Sequence, residues 1–183
     1  MSKIKRICAK IFSRRRANKE LTPVEICRNR GVKIGENVDL VNAQIDYCFG
    51  HLVTIGNNVT ITNSTILAHD ASTKKTLGYS KIGCVDIGDD VFIGFGCVVL
   101  PGVKIGNKVV VGAGTIISKD VPDNVVIVGN PYRVIDTYDN YMEKNRKNLE
   151  RGPVSDIVFY KKTESDWNKL IERLNQSGKG FDL

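Results

Sequence analysis

The chain has 183 residues, 42% of them hydrophobic, with 27 lysines and arginines against 20 aspartates and glutamates for a net charge of +7. That length holds one core-bearing domain, and no apolar run approaches the roughly 20 residues of a membrane span. Five cysteines without a CxxC pair argue for free thiols in a reducing cytoplasm and against both a disulfide framework and a zinc knot.

Residues 1–31 read as a basic helical leader. Ile4, Ile7, Cys8, Ile11 and Phe12 recur at helical spacing among Lys3, Lys5, Arg6, Lys10, Arg14, Arg15 and Arg16, and no acid precedes Glu20. Such a helix lies on an anionic membrane surface, or packs its stripe on the protein's own coil or a neighbouring subunit. The apolar stretch is broken by Lys10 and lacks a cleavage site, which argues against a secretory signal. No aromatic-interleaved pattern or recognition helix accompanies the charge, so no nucleic-acid partner is expected.

From residue 32 to about 135 the pattern changes. Aliphatic residues fall at every sixth position, at Ile87, Ile93, Val99, Ile105, Val111 and Ile117, and a second series, Val91, Cys97, Val103, Val109, Thr115 and Val121, keeps the same step. Glycine follows most of the first set, as Gly88, Gly94, Gly106 and Gly112 do. A helix steps by three and four and a half-buried strand by two. A step of six is the mark of a solenoid in which each hexapeptide is a short strand and a turn, with three sides to a coil. The same register is expected at Ile55, Ile61 and Leu67, with Val53, Val59 and Thr65 as small partners, and begins weakly at Ile34 and Leu40. Glycine and asparagine, as in Gly106-Asn107, suit left-handed corners. Register breaks between Leu40 and Ile55 and between Leu67 and Ile87, which predicts loops leaving the coil, the longer at about 69–85. Cys97 falls in an inward small-residue slot and reads as core filler.

Residues 136–183 do not repeat. A helix is predicted from Tyr138 to Gly152-Pro153, and another where Thr163 and Asp166 form a capping box, Trp167, Leu170, Ile171 and Leu174 make one face and Gly178 stops the run.

The chain has two histidines, His51 and His69, eighteen residues apart. Three hexads separate them, which stacks them on one edge of successive coils. His69 stands at the root of the long insertion, where a rigid scaffold presents a loop, and an imidazole there suits general-base chemistry. A lone histidine is also commonly structural. No Ser-His or Cys-His nucleophile pair is visible.

The stretch from Val32 to Ile135, a little over half the chain, resembles the hexapeptide-repeat acyltransferases, which include galactoside, maltose and serine acetyltransferases and bacterial polysaccharide O-acetyltransferases. The similarity is most specific in "VGAGTIISKDVPDNVVIVGNPYRVI" from Val111 and in "TILAHDAS" around His69. It implies an all-β fold, a left-handed parallel β-helix, although parallel crossovers are otherwise right-handed. It implies acetyl-CoA as co-substrate without a metal, and His69 as the base for a direct transfer to a hydroxyl or amine. For CoA it implies Phe92, where galactoside-type enzymes carry a tryptophan, with Ala113 and Gly114 along the pantetheine and Ser118, Lys119 and Arg133 at the phosphates. Without that motif, Lys119 and Arg133 would read as solvated charges. The segment after His69 is shorter than in galactoside-type enzymes and lacks a second histidine, which points to a different sugar acceptor. Candidates to touch it are His51, Asp70 and Lys74 or Lys75, each equally ordinary loop surface. Asp70 or a backbone carbonyl is expected to orient His69. The resemblance further implies a homotrimer with sites between subunits, a saccharide acceptor from surface polysaccharide or glycolipid synthesis, and a cytoplasmic location with the leader able to reach the membrane's inner face. The alternatives are a serine or other small-molecule O-acetyltransferase and a non-catalytic scaffold. A zinc carbonic anhydrase of the same fold needs three histidine ligands, and this chain has two histidines.

Overall fold

The computed structural model describes residues 21–183. The expected leader stripe at Ile4 to Phe12 lies outside the described residues. Helix α1 (Pro23–Asn29) begins in a reciprocal cap: the Thr22 hydroxyl accepts from the Glu25 N–H, and the Glu25 carboxylate accepts from the Thr22 N–H at 2.8 Å. Proline at its first turn loses no helical hydrogen bond. Cys27 is buried on this helix and Val24 packs beside it against the coil.

The coil then runs in circuits of three short strands: β1 (Lys33–Ile34), β2 (Val38–Val41) and β3 (Gln44–Ile45); β4 (Val53–Ile55), β5 (Val59–Thr62) and β6 (Thr65–Ile66). An excursion follows, made of β7 (His69–Asp70), a turn of helix α2 (Lys74–Leu77) and β8 (Lys81–Ile82), with β7 and β8 antiparallel. The third circuit is β9 (Val85–Ile87), β10 (Val91–Ile93) and β11 (Val98–Val99), the fourth β12 (Lys104–Ile105), β13 (Val109–Val111) and β14 (Ile116–Ile117), after which β15 (Val125–Val128) continues the second side. Strands one circuit apart pair in parallel, giving three sheets: β1-β4-β9-β12, β2-β5-β10-β13-β15 and β3-β6-β11-β14.

Equivalent aliphatics sit in register up each sheet, so that Leu40, Ile61, Ile93, Val111 and Ile127 form one file and Ile45, Ile66, Val99 and Ile117 another. Nearly all are buried, and the core is therefore a column between three sheets. This is the physical meaning of the step of six. Each hexapeptide supplies one side, and β-branched residues fill pleated strands well.

Two readings of the register change. In the second circuit the inward residue is Ile66, fully buried, and Leu67 is only half-buried. The small slot belongs to Ser64 instead of Thr65. The Ser64 hydroxyl donates to the Gly94 carbonyl at 2.7 Å and accepts from the Cys97 N–H at 2.8 Å, which ties that corner to the next circuit. The step shortens to five because Asn63 makes the corner alone with φ of 42°, as Asn42 does one circuit earlier at 52°. Where the step is six, Gly96 and Gly114 make it at 74° and 72°.

At the corners between the first and second sheets, the left-handed residue is the one two places after glycine: Asn37, Asn58, Asp90 and Lys108, at 53–57°. Glycine is required there by stacking. A Cβ on Gly88 would stand 2.8 Å from the Gly106 carbonyl oxygen in the circuit above. The intervening residues form a ladder in which the Asn57 N–H donates to Asp89, the Asp89 N–H to Asn107 and the Asn107 N–H to Asp123, at 2.6–2.8 Å.

The closing segment does not add another parallel strand. β16 (Arg133–Thr137) folds back antiparallel on β15. Thr137 then caps α3 (Tyr138–Arg151) by accepting from the Asn140 N–H. After β17 (Val154–Ser155), helix α4 (Glu164–Ser177) starts at the Thr163–Asp166 capping box and stops at left-handed Gly178, with Leu170 buried, and β18 (Phe181–Asp182) pairs with β17.

Candidate active site

His69 emerges where the third sheet turns towards the first in the second circuit, immediately after the buried pair Ile66 and Ala68. Its Nδ1 lies 2.5 Å from the Asp46 carboxylate, on the equivalent corner one circuit below. The Asp46 side chain is fully buried and that of His69 is 30% exposed. Asp46 also accepts from the Ala68 N–H at 2.9 Å and from the Cys48 and Phe49 N–H groups at 3.1 Å. Burial alone would raise its carboxyl group, but the His69 hydrogen bond and the three backbone N–H groups outweigh that and leave it below the usual carboxylate value. A carboxylate there accepts a hydrogen bond from Nδ1–H, which fixes the tautomer and leaves the Nε2 lone pair as the ring's free acceptor. Phe49 stacks beside the imidazole with ring centroids 4.8 Å apart. An imidazole with one nitrogen pinned by a buried charge and the other free is arranged to take a proton and tolerate the positive charge.

Asp46, and not Asp70 or a carbonyl, is therefore the group that orients His69. Asp70 turns away to Lys81, 2.5 Å from its carboxylate, and accepts the Ser72 N–H; that pairing, with Lys81 first, lowers its pKa to about 2. Sequence reading missed Asp46 because 23 residues separate it from His69. The available signal was a carboxylate directly after a core aliphatic, Ile45, at a coil corner.

The remaining predicted residues distribute over several features. His51 is on the same edge as His69, one circuit below, but rests on Gly31, whose left-handed φ of 87° would put a Cβ 1.7 Å from the imidazole Nδ1. Lys74 is exposed on α2. Ser118 and Lys119 occupy the third-to-first corner of the fourth circuit, above His69 along the same edge. The Lys119 Nζ lies 5.1 Å from the Tyr132 ring, and the Tyr132 hydroxyl donates to the Asp120 carbonyl at 2.5 Å. Arg133 follows on β16, exposed. Ala113 and Gly114 lie at the opposite corner of the third sheet, both exposed, and a Cβ on Gly114 would meet nothing within 4 Å. Phe92 projects from β10, 44% exposed. Among the described residues no cluster of histidine, cysteine and carboxylate side chains could hold a metal ion, and no helix is long and apolar enough to cross a membrane.

Comparison with known proteins bears on the family of the chain. Residues 85–119 match the family described as bacterial transferase hexapeptide (six repeats). YvoF of Bacillus subtilis (strain 168) is 43% identical over 106 residues, 57% of this chain and 59% of that protein. The chain thus spans little more than half of that relative's length. Protein CapG of Staphylococcus aureus is 36% identical over 131 residues, 67% of this chain and 76% of its own. A solved galactoside acetyltransferase in complex with coenzyme A superimposes with a TM-score of 0.51 at 26% identity, covering 76% of this chain and 84% of that one. With 76% of CapG covered at 36% identity, the chain belongs to the hexapeptide-repeat acyltransferase family.

Proposed function

We propose that this protein is an acetyl-CoA-dependent acetyltransferase that esterifies a hydroxyl of a sugar, with His69 as the general base. The observation that carries the proposal is the pairing of partly exposed His69 with the buried Asp46 carboxylate, at the root of the only long excursion from the described coil. The acceptor hydroxyl oxygen attacks the thioester carbon while Nε2 of His69 takes the hydroxyl proton. As the tetrahedral intermediate collapses, the carbon–sulfur bond breaks, the electron pair leaves on sulfur, and the imidazolium returns the proton to give the CoA thiol and an acetyl ester. Asp46 balances the transient positive charge, a role that needs a fixed carboxylate and no covalent intermediate.

The chain's own residues fit the donor. Ala113 and Gly114 leave a bare corner, with open space where the Gly114 side chain would be, along which a pantetheine arm can run close to backbone groups. Lys119 and Arg133 are exposed cations without an ion pair among the described residues, suited to the CoA phosphates; Ser118 precedes Lys119, and Phe92 offers an exposed ring on β10 as a further CoA contact. His69, Ser118 and Lys119 share one edge of the third sheet, and Ala113 and Gly114 share the other. A homotrimer of left-handed coils, with one protomer's edge facing the neighbour's opposite edge, brings the two sets together and gives three sites between subunits. The galactoside named for the solved relative supports a saccharide acceptor, and cytoplasmic synthesis of surface polysaccharide or glycolipid is the setting we assign.

The test is calorimetric titration of acetyl-CoA into wild type, Lys119→Ala and His69→Ala, followed by thiol release with sugar acceptors. Acetyl-CoA binds wild type and His69→Ala alike, binds Lys119→Ala about 5- to 10-fold more weakly, and His69→Ala loses turnover by about two decades or more. Absence of acetyl-CoA binding to wild type, in heat or in melting temperature, overturns the proposal.

A further inference from the structure

A cavity of about 460 Å3 opens beside the catalytic pair, between α1, β3 and β6, and His69 forms part of its wall. Its floor and sides are mostly apolar, from Ile26, Cys27, Ile45 and Leu67. Its one cation is Arg30, whose guanidinium carbon lies 4.4 Å from the centroid of the Tyr47 ring. Arg30 makes no hydrogen bond or ion pair through its side chain among the described residues, in contrast to Arg28 two residues earlier, which donates to the carbonyls of Ile34 and Gly35.

The turn from Asp46 to Leu52 builds this wall residue by residue. Asp46 holds His69, Tyr47 lies under Arg30, Phe49 stacks on the His69 ring, and Gly50 and His51 seat the segment that carries Arg30. A Cβ on Gly50 would stand 2.5 Å from the Arg30 carbonyl oxygen, and Gly31 packs its bare backbone against His51. The Arg30 N–H donates to the Cys27 carbonyl at 3.0 Å. One short turn therefore fixes both the base and the unpaired guanidinium, and it sets them on the same cavity. A planar guanidinium spread on an aromatic face keeps its N–H edge available and recognises planar oxyanions with two parallel hydrogen bonds.

We propose that this cavity is the acceptor site and that the acceptor is anionic, carrying a carboxylate or a phosphate that Arg30 binds while the sugar's apolar face packs against the cavity wall. The proposal rests on His69 being the base, and it adds the class of acceptor and the residue that selects it. It also gives His51 a positioning role, as the support of the Arg30 segment, in place of direct contact with acceptor.

The test uses three probes of matched size, glucose, glucuronic acid and glucose 1-phosphate, titrated by calorimetry at low ionic strength into the full chain saturated with CoA and into the full chain alone. The variants are Arg30→Gln, which keeps a planar hydrogen-bonding end group on a shorter side chain without the charge, and Arg30→Lys, which keeps the charge without the planar fork. The expected result is that at least one anionic probe binds wild type about 10- to 100-fold more tightly than glucose, that Arg30→Gln abolishes the difference, and that Arg30→Lys restores part of it. Preference for glucuronic acid identifies a uronic-type carboxylate, and preference for glucose 1-phosphate identifies a phosphorylated sugar. Equal binding of glucose, an anion preference that survives in Arg30→Gln, or no binding of either anion at about 10 mM overturns the assignment. Acetyl-CoA binding is measured on the same samples. If it fails while the Arg30-dependent anion preference holds, the donor assignment falls and the anion site stands.

Discussion

Replacing Asp46 by asparagine tests the core of the site. Two carboxylate oxygens accept four donors: the N–H groups of Cys48 and Phe49 on one, and the Ala68 N–H and His69 Nδ1 on the other. An asparagine of the same shape has one acceptor oxygen and one amide NH2, so one pair of donors must face another donor. If the NH2 points to Cys48 and Phe49, two backbone N–H groups lose their acceptor, at about 1–3 kcal/mol each where buried. If it points to Ala68 and His69, the imidazole moves its proton to Nε2 and offers its lone pair to the asparagine, which removes the base. Either way stability falls by about 2–5 kcal/mol. The transfer rate falls by about two to four decades, while acetyl-CoA affinity stays within about twofold. Urea unfolding followed by circular dichroism measures the first, and CoA thiol release at saturating acetyl-CoA the second.

The same variant carries a pH signature. The folded Asp46 carboxyl group lies below its ordinary value, so its contribution is complete above the unfolded pKa and is lost as pH falls through the folded one. Wild type should therefore lose stability more steeply than Asp46→Asn as pH falls below the ordinary carboxylate value of about 4. A variant that keeps wild-type turnover, or whose stability falls with pH as wild type's does, would refute the orienting role.

Three further outcomes follow from the coil. Ile66→Ala removes a fully buried side chain and should cost about 2–5 kcal/mol, whereas Leu67→Ala should cost clearly less; the reverse order in urea would return the register to Leu67. Gly88→Ala should lower the melting temperature by several degrees, about 1–3 kcal/mol for an overpacked contact, because the added carbon meets the Gly106 carbonyl, and an unchanged melt would show that the stack yields. Lys81→Ala should let the Asp70 carboxyl rise from about 2 towards its ordinary value, since the Lys81 pairing is the largest cause of its depression; an NMR titration of the Asp70 carboxyl carbon that stays put would assign the depression to the Ser72 contacts instead.

Much of this architecture was legible in the sequence because its determinants are local. A strand of two or three residues, a corner and a step of six recur within each hexapeptide, so the period of Ile87 to Ile117 states how many residues make one side and which of them face inward. Helix caps are local too: Thr163 and Asp166 are three residues apart, and they mark the start of α4 before any tertiary contact is considered. The position of His69 at the root of the excursion was legible for a related reason, since it stands where the period breaks. The step from Ile61 to Ile66 was not, because a left-handed asparagine corner saves one residue and composition does not distinguish Asn63 in that conformation from any other loop asparagine.

The pairings that make the site came from the tertiary structure alone. Asp46 and His69, Arg30 and Tyr47, Gly31 and His51 are separated by 17 to 23 residues or cross from helix to coil, and no spacing rule joins them. The irregular turns decide how many residues leave each corner, and so which side chain on one circuit stands beside which on the next. A repeat makes the scaffold predictable because every unit obeys the same packing. The site sits at the interruptions, where that constraint is absent and only the folded chain determines what meets.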